Sequence, residues 1–294
     1  MPEEEPSSDA AAPSVSGTQA GSPRPALSLP AAWQPITPRG VAAFATASYG
    51  RLFLFQCLIA LLGAAAVVWF VATAWFPTIR AAIAQLPSEG VIRNQELQIV
   101  RTSAEPLAEG RFLGFAVDLE QQSRATLTGD VRVELHRKSF EICSLLGCWR
   151  FVYPHGWEIH FSRPELQPWW GAWQTMLLTI LGLSVVFTLL LAWTMLATLY
   201  WPVVYLVAYL NDRELKLAQS WRMAAASLLP GALVMIAGIL AYGLGTLDLV
   251  RFLVVTVLHF LVPWVYLVIS PLLSPRVQRG SSATKNPFAN AKEL

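Results

Sequence analysis

The apolar positions of this chain fall into long uninterrupted runs rather than short periodic ones. From residue 52 to residue 76 (LFLFQCLIALLGAAAVVWFVATAWF) no charged side chain occurs. A helix of that length spans roughly 37 Å, enough to cross a hydrocarbon core of about 30 Å with some tilt. Arg51 and Arg80 bracket the run, and Trp69, Trp75 and Phe76 crowd its second end, where interfacial aromatics belong. A second run is uncharged from Gln167 to Asn211, too long for one span and too short for two with a loop. The pattern predicts one span over 171–199, closed by the aromatic pair Tyr200 and Trp201. An interfacial helix over 202–210, opened by Pro202, follows it. Asn211 with Glu214 three residues later looks like a helix start, so 202–222 reads as interfacial helices and a polar loop. The third span is expected over 223–245, with Pro230 and Gly231, Gly238, Gly243 and Gly245 marking close packing or weak points. The fourth is expected over 252–273, broken by Pro263 and ended by Pro271 and Pro275.

Between the first two spans the pattern changes. Residues 77–168 alternate over short stretches (112–117, 131–135, 157–161) separated by turn residues such as Gly129-Asp130 and Pro154-His155-Gly156. Period-two alternation between such breaks predicts strands. Eleven acids and ten basic residues lie between Arg80 and Glu165, an ordinary surface density. The segment reads as a water-exposed, mainly β domain inserted between spans. Residues 1–40 are rich in Pro, Ser, Ala and Gly and punctuated by acids; they and the polar, basic stretch 274–294 read as disordered tails. The acidic start, with no apolar run before residue 52, is unlike a signal peptide, so the first span is expected to stay as an anchor.

Composition sharpens this picture. Apolar residues make up 54% and charged ones only 14%, against about 25% charged in a typical soluble domain. So few charges cannot cover a water-soluble surface, and the lipid bilayer is the partner the composition demands. A net charge of +2 without a Lys/Arg run excludes nucleic acid as a partner. With four spans, eight Lys/Arg near span ends lie on the side of the termini and four on the other. That bias places both termini in the cytoplasm of a bacterial inner-membrane protein and the β domain outside it.

Three cysteines are too few for a disulfide scaffold or a four-cysteine zinc site. Cys143 and Cys148 flank Ser-Leu-Leu-Gly between strands expected at 138–142 and 149–153, so they read as a disulfide across a four-residue hairpin loop. The rival readings are a redox pair or half of a metal site, although such motifs favour two intervening residues. Cys57 lies within the first span and reads as a small buried hydrophobe. Glu158 and His160 share one face of a strand, with His155 in the turn before it and His136 on another strand. These could supply metal ligands, but a solvent-facing strand edge explains the same residues, and no metal or cofactor is expected. His259 is the ionisable group deepest in any span, a candidate intramembrane polar site. A neutral ring donating to a carbonyl freed by Pro263 would explain it equally well. No Asp, Glu, Lys or Arg lies inside a span, which counts against ion-coupled transport. No nucleophile elbow, phosphate-binding loop or dinucleotide fingerprint is present, so the chain reads as non-enzymatic.

Residues 86–90 (LPSEG) with 91–97 (VIRNQEL), 114–119 (GFAVDL) and 227–230 (SLLP) carry a family resemblance. Over about residues 45–275 the chain resembles an uncharacterised family of bacterial membrane proteins, a domain of unknown function. That family includes accessory proteins of maltodextrin utilisation. The resemblance implies an architecture: one amino-proximal span, an extracytoplasmic β domain and a carboxy-terminal cluster of spans. It brings no catalytic residue. The hairpin cysteines and the acidic amino-terminal stretch are departures from the family's pattern.

The function expected from the sequence is that of a multi-pass membrane protein whose external β domain scaffolds, senses or assists a partner complex. That partner would be another membrane or extracytoplasmic protein. The alternative is a transporter or channel subunit using His259 and the Gly/Pro-broken third and fourth spans. A membrane-embedded enzyme using His155, Glu158 and His160 is a third possibility.

Overall fold

The structure, a computed structural model, describes residues 34–99, 106–119 and 128–276. The expected tails therefore lie outside the described residues, except for 34–40 and 274–276. Four helices are long and apolar enough to cross a membrane by length and composition: α2 (Tyr49–Ala84), α3 (Arg163–Leu210), α4 (Leu217–Gly243) and α5 (Leu249–Leu272). They alternate in direction, so both described chain ends meet at one end of the bundle. There the Tyr266 hydroxyl donates to the Ile36 carbonyl and Arg213 bridges to Arg276.

Helix α4 is the centre of the bundle. Of its most apolar 18-residue window 61% is buried, against none of that of α3. Ala224, Ala225 and Ala226 are completely buried, small side chains that let α2 and α5 approach. At Gly231 a Cβ would stand 2.6 Å from the His259 carbonyl and 2.8 Å from Pro263 Cγ, so only glycine admits α5 this closely. A short helix missed by the hydropathy pattern, α1 (Pro38–Ala43), fills the same core with Val41 and Phe44. Its signals are local: the Thr37 hydroxyl accepts from Gly40 N at 3.0 Å, and Pro38 stands in the first turn.

Several expected boundaries are corrected. The first apolar helix does not stop near residue 76 but runs on to Ala84. A π-helical turn at Val71–Trp75, where Phe76 N–H reaches Val71 O, precedes Pro77 and accommodates its missing donor. Helix α3 is not one span plus a separate interfacial helix. It is continuous for 48 residues, about 72 Å, through Pro168 and Pro202. Packing overrides the proline: Val204 and Ala208 are buried, and Tyr200 and Trp201 lie against the core of α4 and α5. Asn211 and Asp212 end this helix instead of starting the next. Asn211 Nδ2 donates to Val207 O at 2.8 Å and Asp212 adopts a positive φ of 52°. The next helix starts at Leu217, where Gln219 Oε1 accepts from Lys216 N at 2.8 Å. Neither Pro230 nor Pro263 breaks its helix; α4 and α5 each run through.

Between α2 and α3 the described residues form eight strands: β1 (Gly90–Arg93), β2 (Glu96–Ile99), β3 (Pro106–Glu109), β4 (Leu113–Val117), β5 (Val131–Leu135), β6 (Ser139–Ser144), β7 (Gly147–Val152) and β8 (Ile159–His160). One sheet has the order β2-β1-β8 and the other β3-β4-β5-β6-β7, in which only β4 and β5 pair in parallel. Ile92 and Leu97 of the small sheet pack with Leu107, Val117, Leu135 and Tyr153 of the large one. Ala82 and Leu86 at the end of α2, and Leu166 early in α3, join this second core. The two long helices thus run into the β region, whose sheets begin later and end earlier than the alternation alone predicts.

Candidate functional site

The hairpin β6–β7 is built around its cysteines. Cys143 and Cys148 are register partners with Cα atoms 4.0 Å apart, and they form a disulfide. The strands are longer than the sequence pattern gives, so the loop is the two residues Leu145 and Leu146 rather than four. Gly147, at φ +121°, completes the turn where a side chain would be strained. The Ser144 hydroxyl accepts from Leu146 N at 3.3 Å. Cys57 is free and half-buried.

Every residue of β7 is exposed, and its second edge has no partner strand among the described residues. Period-two alternation puts Trp149 and Phe151 on one face, paired with Ile142 and Phe140; the Phe140 and Phe151 rings stack at 5.1 Å. Trp149 is 52% exposed and Phe151 46%, while Leu146 at the turn reaches 72%. Arg150, held by Glu141, is the one charge on the strand. Edge strands are normally blunted by charge, proline or a bulge. This one is long, apolar and open.

The other face of the large sheet is polar. Glu134 and Glu141 are register partners on β5 and β6, and His136 follows Glu134. One side-chain ligand atom from each lies within 4.8 Å of the others. His136 Nδ1 is 2.9 Å from the Asp118 carbonyl, and its Nε2 is 4.0 Å from Glu141 Oε2. The Tyr153 hydroxyl donates to the His136 carbonyl at 2.9 Å, and burial pushes this phenol up to about 12.

The sequence-derived set of His136, His155, Glu158 and His160 is therefore split. His136 belongs to the large sheet, and His155 is exposed in the turn before Gly156. Glu158 and His160 do share a face, with Arg93, in an open polar groove along β1, β2 and β8. Arg93 donates to Glu158; this hydrogen bond holds the Glu158 carboxyl below its ordinary range and raises the Arg93 guanidinium. On the opposite margin of the domain, the Thr128 hydroxyl and backbone N–H both donate to Glu109 and lower its carboxyl.

His259 lines an apolar cavity of about 170 Å³ between the four long helices, with Gly63, Trp193, Met235 and Pro263. Its Nδ1 is 2.5 Å from the Thr256 carbonyl. The ring does not serve the carbonyl freed by Pro263, which is that of His259 itself, the group against Gly231.

A junction that no local pattern announces fastens the β region to the bundle. Arg111 donates to the carbonyls of Gly245 at 3.1 Å and Leu247 at 3.0 Å, and the Tyr242 hydroxyl donates to Asp130 Oδ2 at 2.5 Å. The Phe112 ring meets those of Phe70 and Tyr242. The hydrogen-bonded partners are more than a hundred residues apart in the chain, so periodicity carries no trace of them.

Comparison with models of protein families, with curated proteins and with solved structures finds no match to this chain. Any functional reading rests on the residues and their geometry.

Proposed function

We propose that the chain is a non-enzymatic, four-span protein of the bacterial inner membrane, whose external β domain binds an extended segment of a partner protein along the open edge of β7. Helix α3 supports the membrane part. Its outward residues, among them Leu183, Phe187 and Met195, are apolar and uncovered, and only lipid or another apolar surface makes that favourable. The excess of Lys and Arg at the end of the bundle that carries both chain ends supports a cytoplasmic location for that end.

The observation that carries the binding function is the exposed, disulfide-pinned, apolar edge of β7. A partner strand would satisfy its unpaired backbone groups, while Trp149 and Phe151 would give side-chain selectivity on one face. The groups with shifted protonation support binding over catalysis: Glu158 with Arg93, Glu109 with Thr128 and buried Tyr153 are each engaged in structural pairing. A photo-crosslinking amino acid at Phe151, in cells, is expected to give one discrete adduct with a second protein. The edge-blocking change Val152→Lys should abolish it. No adduct, or one only of twice the chain's own mass, would overturn the reading.

A transporter or channel subunit is the second reading, favoured by His259 facing a cavity between all four helices. Loss of solute flux in His259→Ala, with partner crosslinking intact, would put it first.

A further inference from the structure

We propose that Glu134, His136 and Glu141 form a binding site for a divalent transition-metal ion, zinc by preference, on the polar face of the large sheet. The geometry starts from the histidine. A carbonyl oxygen only accepts, so the contact from Nδ1 to Asp118 O fixes the proton on Nδ1 and leaves the Nε2 lone pair facing the two carboxylates. A backbone carbonyl holding the far nitrogen is the usual orienting contact of a metal-bound imidazole. The ring is 6% exposed, so this orientation is set by packing and not by solvent.

Glu134 and Glu141 stand directly opposite each other across β5 and β6, where like charges repel. Arg150 compensates Glu141 through Oε1 and leaves Oε2 turned to the histidine. Glu134 is 8% exposed, makes no hydrogen bond or ion pair among the described residues, and keeps its carboxylate oxygens within reach of solvent. An ion shared with His136 and Glu141 would offset the repulsion between the two facing carboxylates. A protonated imidazole bridging the pair is the competing arrangement, but 4.0 Å from Nε2 to Oε2 is too long for a hydrogen bond. That gap is within the span of an ion about 2.1 Å from each atom. One imidazole nitrogen with two carboxylates favours zinc, cobalt or manganese over magnesium or calcium, and zinc binds most tightly of the three.

The neighbouring group Glu141, Cys143 and Cys148 also has metal-ligand spacing, but its sulfurs are consumed in the disulfide. The proposed site uses no sulfur. Its test uses the full chain purified in detergent, stripped with chelator and reloaded with Zn²⁺ or Co²⁺. Elemental analysis is expected to find one equivalent per chain. Glu134→Gln should weaken binding more than tenfold, whereas the double change Cys143→Ser, Cys148→Ser should retain it. X-ray absorption of the wild-type zinc form gives a readout that does not depend on how a variant folds: imidazole and oxygen scattering with no sulfur. No stoichiometric uptake by the wild type, unchanged affinity in a folded Glu134→Gln chain, or sulfur in the first coordination shell would overturn the proposal.

Discussion

Removing the hairpin disulfide by the double change Cys143→Ser, Cys148→Ser should loosen β7 and nothing else. The bridge closes a loop with a sequence separation of 5. For so short a loop the chain-entropy expression gives about 2 kcal/mol at room temperature. The remainder of β7 is held only by its pairing to β6: Phe140 on Phe151, Glu141 with Arg150, and Ile142 opposite Trp149. All its residues are exposed, so its opening costs little of the domain core, which lies between Ile92, Leu97, Val117 and Leu135. The loss should therefore appear as local fraying. About 2 kcal/mol corresponds to a roughly 30-fold change in an opening equilibrium. Hydrogen exchange on the full chain in detergent should show β7 amides exchanging about that much faster, with β4 and β5 unchanged. In the parent protein, denatured without reductant, Cys57 alone should react with a thiol reagent. A uniform acceleration through β4 and β5 would refute the local account, and no acceleration in β7 would show that the bridge does not hold the edge.

Arg222 donates to the carbonyls of Ala45 and Ala47, each at 2.7 Å, and stacks on Tyr49. Arg222→Met should cost about 3–5 kcal/mol from two lost charge-assisted bonds, seen as faster exchange over residues 38–47, with Arg222→Lys restoring part. Protection unchanged in the Met variant would show that α1 docks by apolar contacts alone. Tyr153, raised to about 12 by burial, favours the neutral phenol in the fold. Its contribution is complete below the ordinary phenol range near about 10, and is lost as pH rises through about 12. Tyr153 should thus titrate late by tyrosinate absorbance, and Tyr153→Phe should remove one tyrosine equivalent from the late part of the titration.

The apolar runs made the four long helices legible because a stretch of eighteen or more apolar residues has few other readings. Their ends were not legible. Pro202 and Pro263 look like breaks in sequence, yet each sits where packing outweighs a lost backbone bond: Val204 is fully buried and Pro263 lies against Gly231. Asn211 with Glu214 carries the letters of a helix start, and only the positive φ of Asp212 reveals a helix end. The cysteine pair was legible because its partners are five residues apart. The grouping of His136 with Glu134 and Glu141 was not, because it depends on the register of β5 against β6. Assigning His136 to the same candidate set as Glu158 and His160 ignored that the two lie in different sheets.

The central claim is that the bundle spans the membrane with the β domain outside and both chain ends inside. It is tested most directly by thiol accessibility in intact cells. In a Cys57→Ala background, His155→Cys places a thiol on an exposed turn of the β domain, and Asn211→Cys places one on the exposed turn between α3 and α4. A membrane-impermeant maleimide should label the first in intact cells and the second only after permeabilisation. Labelling of Asn211→Cys in intact cells, or of both positions equally, would contradict the account.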